Sequence, residues 1–130
     1  MSYSNYAAAY RHREVAAATP GRLLLMVYDH VLANFARATV AHNNKLIEAR
    51  AEAVGKARDG ISELIAALDM EKGGPIALQL NALYVFALSE LVDAGRKFDE
   101  TKIARIANII RELRDTFAVI VDNAAKTSAA

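Results

Sequence analysis

The chain has 130 residues, a length typical of a single domain spanning 1–130. Its 16 Lys and Arg and 15 Asp and Glu leave a net charge of +1, and no segment concentrates basic residues, which argues against a nucleic-acid-binding surface. Apolar residues make up 54% of the chain and exclude a disordered protein, while the lack of Cys excludes disulfides and thiolate metal sites.

The first 18 residues are predicted to form a mobile N-terminal arm without the apolar core of a secretory signal peptide. Tyr3, Tyr6 and Tyr10 recur at spacings of three and four, so they would share one face of a short helix. A Tyr ring with its polar tip suits half-buried docking, and this face predicts a flap or cap helix that lies on an apolar groove. A frayed terminus with incidental aromatic residues is the alternative.

Turn-forming residues divide the rest of the chain. Thr19 can cap a helix that has Pro20 in its first turn, and Gly74-Pro75 repeats this pattern. Gly73 and Gly74 are predicted to end the preceding helix, because Gly accepts the left-handed conformation of a C-terminal cap. The predicted helices span 20–41, 44–70, 75–94 and 99–124, and the tail at 125–130 is predicted to be frayed.

Each of the four segments carries an apolar stripe at helical spacing, and no strand-like pattern of period two is present. Four helices of similar length joined by short turns are typical of an antiparallel up-down-up-down bundle. The sequence therefore predicts an all-α four-helix bundle with a short N-terminal arm.

The third predicted helix is apolar on two sides. One arc is predicted to face the core and contains Ile76, Leu80, Leu83, Tyr84, Ala87 and Leu91. Leu78, Val85 and Val92, spaced by seven, lie on nearly the opposite side, and Phe86 lies within a polar strip. A bundle helix needs a broad apolar arc to touch two neighbours, but this placement is wider and favours a partner on the second side. The sequence leaves open whether the second or the fourth helix forms the other wall of such a groove.

No constellation of residues indicates an enzyme. The Glu-x-x-His pair of helical di-metal sites, the helical zinc motif and both common phosphate-binding glycine motifs are missing from the sequence. His12, His30 and His42 have no obvious carboxylate partner at ligand spacing. We therefore expect no catalytic residues, no metal and no cofactor.

The most specific pattern is Leu68-Asp69-Met70-Glu71-Lys72-Gly73-Gly74, followed by Ile76-Ala77, Leu80 and Leu83-Tyr84. It resembles the Leu-Asp-x-Glu-Lys-Gly-Gly turn and following helix of FliS, the flagellin-specific secretion chaperones of bacterial flagella. Further similarity lies in Thr19-Pro20 with residues 23–29, in Tyr10, and in residues 109–117. The resemblance covers about residues 3–122.

The sequence also departs from the family pattern. Val85 stands where the family commonly has Asp, and Ser89-Glu90 stands where it has an Arg pair. His30 replaces a common Gly, and Gly21-Arg22 replaces the usual acidic first turn of the first helix. These changes make the third helix more apolar and less basic than is usual in the family.

The resemblance implies a cytoplasmic chaperone that binds the C-terminal segment of flagellin, blocks its premature polymerisation and passes it to the export gate protein FlhA. It implies no cofactor and no membrane insertion. Recognition would be of the helix-in-groove kind, with folding of the cargo coupled to binding. The predicted flagellin contacts are Tyr10, Ile61, Leu68, Leu78, Val85, Phe86 and Val92.

Two other classes of function stay open at this stage. One is a structural helical oligomer without cargo, which would use the second face of the third helix as its self-interface. The other is a bundle enzyme or cofactor carrier. For the chaperone we expect a monomer or a weak homodimer.

Overall fold

The computed structural model describes residues 19–129, which form four α-helices and no strand. They are α1 (Pro20–Asn43), α2 (Ile47–Ala66), α3 (Met70–Arg96) and α4 (Glu100–Ala129). Each helix packs against the next in the chain, and α4 returns to pack against α1. The predicted all-α bundle is confirmed. The predicted N-terminal arm, with Tyr3, Tyr6 and Tyr10, lies outside the described residues.

The start of α1 follows the sequence prediction. The Thr19 hydroxyl accepts a hydrogen bond from the backbone N–H of Arg22 at 3.2 Å, and Pro20 occupies the first helical turn. This cap satisfies one of the N–H groups that a helix start leaves without an intrahelical partner. The chain therefore enters the bundle at the residue where the sequence predicts.

The turn between α2 and α3 differs from the prediction. Helix α2 ends at Ala66, and α3 begins at Met70 because the Asp69 carboxylate accepts the backbone N–H groups of Glu71 and Lys72 at 3.1 and 3.0 Å. The two glycines do not end the second helix, which stops at Ala66, but the predicted break at this place is present: Gly74 has a non-helical backbone between the first turn of α3 and its main part from Pro75. Gly74 has a φ of 53°, which kinks α3, and such a conformation favours glycine.

The C-terminal tail also differs from the prediction. Helix α4 continues to Ala129, so the segment from residue 125 that was predicted to be frayed is helical as far as that residue. Gly21 of α1 faces Val121 of α4, and beyond this level α4 runs past the start of α1. Val119 and Ile120 are exposed near this end, although Ile120 belongs to the apolar stripe of the helix.

A buried pair of tyrosines links diagonal helices at the centre of the bundle. Tyr28 of α1 and Tyr84 of α3 are 0% and 2% exposed, and their hydroxyls hydrogen-bond to each other. Burial raises the pKa of both hydroxyls above the ordinary value of 10.0. Phe117 of α4 stacks on Tyr28 with ring centroids 6.0 Å apart. Three helices therefore meet at one aromatic cluster with a satisfied polar centre.

An ion pair joins α1 to α4 at the bundle surface. The Arg114 guanidinium donates from Nε to the Asp29 carboxylate at 2.9 Å, and this partner raises the pKa of Arg114. Exposed pairs of this kind stabilise a protein by at most about 1 kcal/mol. The pair nevertheless fixes the register of two antiparallel helices, and it uses residues from two of the stretches that carry the family resemblance.

Candidate functional site

The inward face of α3 is built mainly from small side chains. Its buried residues are Ala77, Tyr84, Ala87, Leu91 and Ala94. They recur at spacings of three, four and seven, so they form one narrow strip along the helix. Three of the five are alanines, which let α3 lie close to its neighbours, and the half-buried Leu80 and Leu88 pack against the core beside them.

The exposed part of α3 also carries large apolar side chains. We call these residues the outer face of α3: Ile76 (67% exposed), Leu78 (61%), Leu83 (39%), Val85 (48%), Phe86 (52%) and Val92 (41%). The four α3 residues predicted as flagellin contacts are thus all exposed. At 3.6 residues per turn, Leu78, Val85 and Val92 follow one flank of the helix, Ile76 and Leu83 lie on the other flank, and Phe86 lies between them. Exposed apolar side chains are common singly, but a stripe such as Leu78, Val85 and Val92 is typical of an interaction surface.

Two residues of the outer face were predicted to lie in the core. Ile76 and Leu83 fall on the edges of the predicted inward arc, and the structure leaves both exposed. The prediction is wrong for these two because both lie at one edge of the buried strip of α3, where position around the helix does not by itself bury a side chain. The signal that could have found them is the alanine spacing at positions 77, 87 and 94, which marks the true inward face.

The other predicted contacts lie elsewhere. Ile61 is 0% exposed and forms part of the core, so in this structure it offers no surface to a partner. Leu68 is half-buried against the same core. Tyr10 lies outside the described residues. The described part of the predicted site is therefore a surface on α3 alone, with Leu68 at its edge.

A cavity of about 300 Å³ shows which helix stands opposite the outer face at its C-terminal end. Val92 and Leu91 of α3 line it together with Val54 and Gly55 of α2. A Cβ atom added at Gly55 would meet nothing within 4 Å, so the cavity is open there. At Val92 the helix on the other side of this cavity is α2.

The buried polar groups of the described residues offer no catalytic arrangement. His30 and Asn34 are both buried in α1, and the Asn34 amide donates to the His30 carbonyl at 2.9 Å. Burial lowers the pKa of His30, which favours a neutral ring. Between residues 19 and 129, no group of three His, Asp or Glu side chains could hold a metal ion.

Helix α3 is the one helix in the described part of the chain that is long and apolar enough to cross a membrane by length and composition. One such helix is weak evidence, because core helices of soluble bundles pass the same test. Only 22% of its most apolar stretch is buried, however, so core packing does not account for its composition. The excess of apolar residues belongs to the outer face.

Comparison with known proteins places the chain in a family. The family model described as "Flagellar protein FliS" matches residues 2–124. The chain is 32% identical to the flagellar secretion chaperone FliS of Campylobacter jejuni over 88% of its length and 90% of the relative's. It is 29% identical to that of Bacillus subtilis, over 97% and 93%, and 30% identical to that of Salmonella typhimurium, over 82% and 79%. The chain therefore belongs to the FliS family of flagellar secretion chaperones.

Proposed function

We propose that this protein is a cytoplasmic export chaperone that binds the C-terminal segment of flagellin on the outer face of α3. Binding would keep the segment from polymerising until the complex reaches the export gate protein FlhA. One observation carries the proposal: α3 leaves six large apolar side chains exposed, while three of its five buried residues are alanines. Such a helix exposes apolar side chains that packing within the bundle does not use, which supports a partner on that surface.

The energetics suit a chaperone that must release its cargo. Fully burying a Val, Leu or Phe side chain contributes roughly 1.5–3 kcal/mol. Ordering a disordered segment on binding costs about 2–5 kcal/mol of the gross interaction. A docking face of six apolar side chains can therefore hold a helix firmly, while the ordering cost keeps dissociation possible.

Val85 provides a direct test because it is 48% exposed and makes no contribution to the buried core. We expect Val85→Asp to fold normally and to weaken binding of a flagellin C-terminal peptide by about 1–3 kcal/mol, through lost apolar burial and desolvation of the carboxylate. Titration calorimetry measures the difference. Val119→Asp is the matched control, since Val119 is also exposed, at 60%, but lies on α4.

Two outcomes would remove Val85 from the site. Equal affinity of the wild type and Val85→Asp would show that the cargo docks elsewhere. An equal loss in Val119→Asp would show that charge anywhere on the surface weakens binding.

The N-terminal arm is the second part of the proposal. We propose that the arm with Tyr3, Tyr6 and Tyr10 covers apolar surface in the free protein and moves when cargo binds. Deleting residues 2–12 should leave the helical circular dichroism unchanged while altering flagellin affinity. An unchanged affinity would make the arm a passive tail.

Self-association is the competing use of the outer face. Light scattering over a range of concentrations separates the two uses, because a chaperone with a free face stays monomeric or dimerises only weakly. A tight dimer that Val85→Asp dissociates would assign the face to a second copy of the chain.

A further inference from the structure

Arginines converge on the cavity between α2 and α3. Arg50 and Arg58 of α2 and Arg96 of α3 line it, and no acidic residue does. Arg96 follows Val92 by four residues, so both side chains lie on the same side of α3. The groove beside the outer face therefore carries three positive charges at one end.

None of these arginines forms an ion pair with a carboxylate in the described part of the chain. Arg50 donates to the His42 ring at 3.1 Å and lies over the Phe98 ring, 5.4 Å from its centroid. Arg58 and Arg96 are exposed and take part in none of the ion pairs formed by residues 19–129.

The carboxylates near Arg96 are paired with a lysine. Glu90 and Asp93 of α3 both pair with Lys102 of α4, and Arg96 acts on Asp93 only as a further positive charge that lowers the pKa of that carboxyl. Glu52 of α2 pairs with Lys56. The charges of Arg50 and Arg58, and part of that of Arg96, are thus left for a partner to balance.

The floor of the groove is apolar. Val54, Leu91 and Val92 line it, and Gly55 leaves open space where another residue would place a side chain. At Gly95 the walls come close, since an added Cβ would lie 3.2 Å from Val54. An apolar floor between guanidinium groups fits an apolar side chain flanked by carboxylates better than it fits a bare phosphate backbone.

We infer that this groove binds an acidic amphipathic helix of a protein partner, with its apolar side chains on Val54 and Val92 and its carboxylates facing Arg58 and Arg96. The inference rests on the proposed function in taking the outer face of α3 as the docking face. It adds a requirement that the apolar face does not impose, namely that the docked segment is negatively charged at this end.

The test uses two synthetic amphipathic peptides of about 20 residues with the same leucine face, one with Glu and one with Lys on its polar edges. At low ionic strength the Glu peptide should bind at least about tenfold more tightly, and the preference should shrink as salt screens the charges. In the double variant Arg58→Glu/Arg96→Glu the preference should reverse. Arg105→Glu/Arg111→Glu, with the same charge change on α4, is the matched control and should keep it.

Equal binding of the two peptides, binding of neither, or reversal in the control variant would overturn the inference. Binding of a single-stranded oligonucleotide to the wild type but not to Arg58→Glu/Arg96→Glu, without binding of the Glu peptide, would also overturn it. The flagellin peptide with the Val85→Asp variant is measured in parallel. If its affinity depends on Val85 but the charge preference is absent, the proposed function stands and only this inference fails.

Discussion

The two faces of α3 differ in a way that their environments do not favour: small side chains are frequent on the buried face, and large apolar side chains lie on the exposed one. The buried face is mostly alanine around Tyr84 and Leu91, whereas the exposed face carries larger aliphatic and aromatic side chains. In a bundle that needed only to fold, the large residues would lie inside, where each buried methylene contributes about 0.8 kcal/mol. The arrangement suits close helix packing on the inward face and leaves large apolar side chains exposed on the outward face.

The residues that identify the family lie almost entirely on the structural side of this comparison. Tyr28 and Tyr84 form the buried polar pair, Asp69 caps α3, Gly74 kinks it, and Asp29 pairs with Arg114. Ile76 and Leu83 of the same family pattern are the exceptions, since they lie on the outer face. The other outer-face residues, Leu78, Val85, Phe86 and Val92, lie outside the pattern, so the pattern says little about which residues would meet a partner.

The largest expected effect is a difference in stability between alanine variants at two adjacent residues of α3. Leu91 is 0% exposed and Val92 is 41% exposed, so Leu91→Ala should lower the free energy of unfolding by about 2–5 kcal/mol. Val92→Ala should change it by no more than about 0.5 kcal/mol. Urea unfolding of both variants measures this, and similar losses would mean that the two faces are not distinct.

The second prediction concerns the buried face of α3, where Tyr84 hydrogen-bonds to Tyr28. Tyr28→Phe and Tyr84→Phe should each cost about 1–3 kcal/mol, because each leaves the other buried hydroxyl unpaired. The double variant should cost less than the sum of the two. Denaturant unfolding of the four proteins tests this as a double-mutant cycle, and additive losses would show that the two hydroxyls act independently.

A smaller effect should appear at high pH. Burial raises the pKa of Tyr28 and Tyr84 in the folded protein, so the unfolded chain releases these protons first as the pH rises. The stability they contribute is therefore complete below pH 10.0 and declines above it. Between about pH 9 and 11, the midpoint temperature of thermal unfolding should fall less steeply for Tyr28→Phe/Tyr84→Phe than for the wild type. Parallel slopes would contradict a buried, protonated pair.

The sequence by itself determined the helical class, the start of α1 and the family. Apolar stripes, the Thr19-Pro20 cap and the turn at Leu68–Gly74 are local signals, and each depends on residues only a few positions apart. The same signals indicated that Leu78, Val85 and Val92 share a side of their helix. Local patterns failed at the turn itself, where the Asp69 cap began a helix before the two glycines.

Tertiary structure decided how far each apolar arc is buried and what stands opposite it. Ile76 and Leu83 are exposed, and Ile61 is buried, because burial depends on the distance to neighbouring helices rather than on angle around one helix. The packing of α2 against α3 likewise decides that one cavity is lined by Arg50, Arg58 and Arg96. Residues nearly 50 positions apart become neighbours only when two helices align, and no periodicity within either helix specifies that alignment.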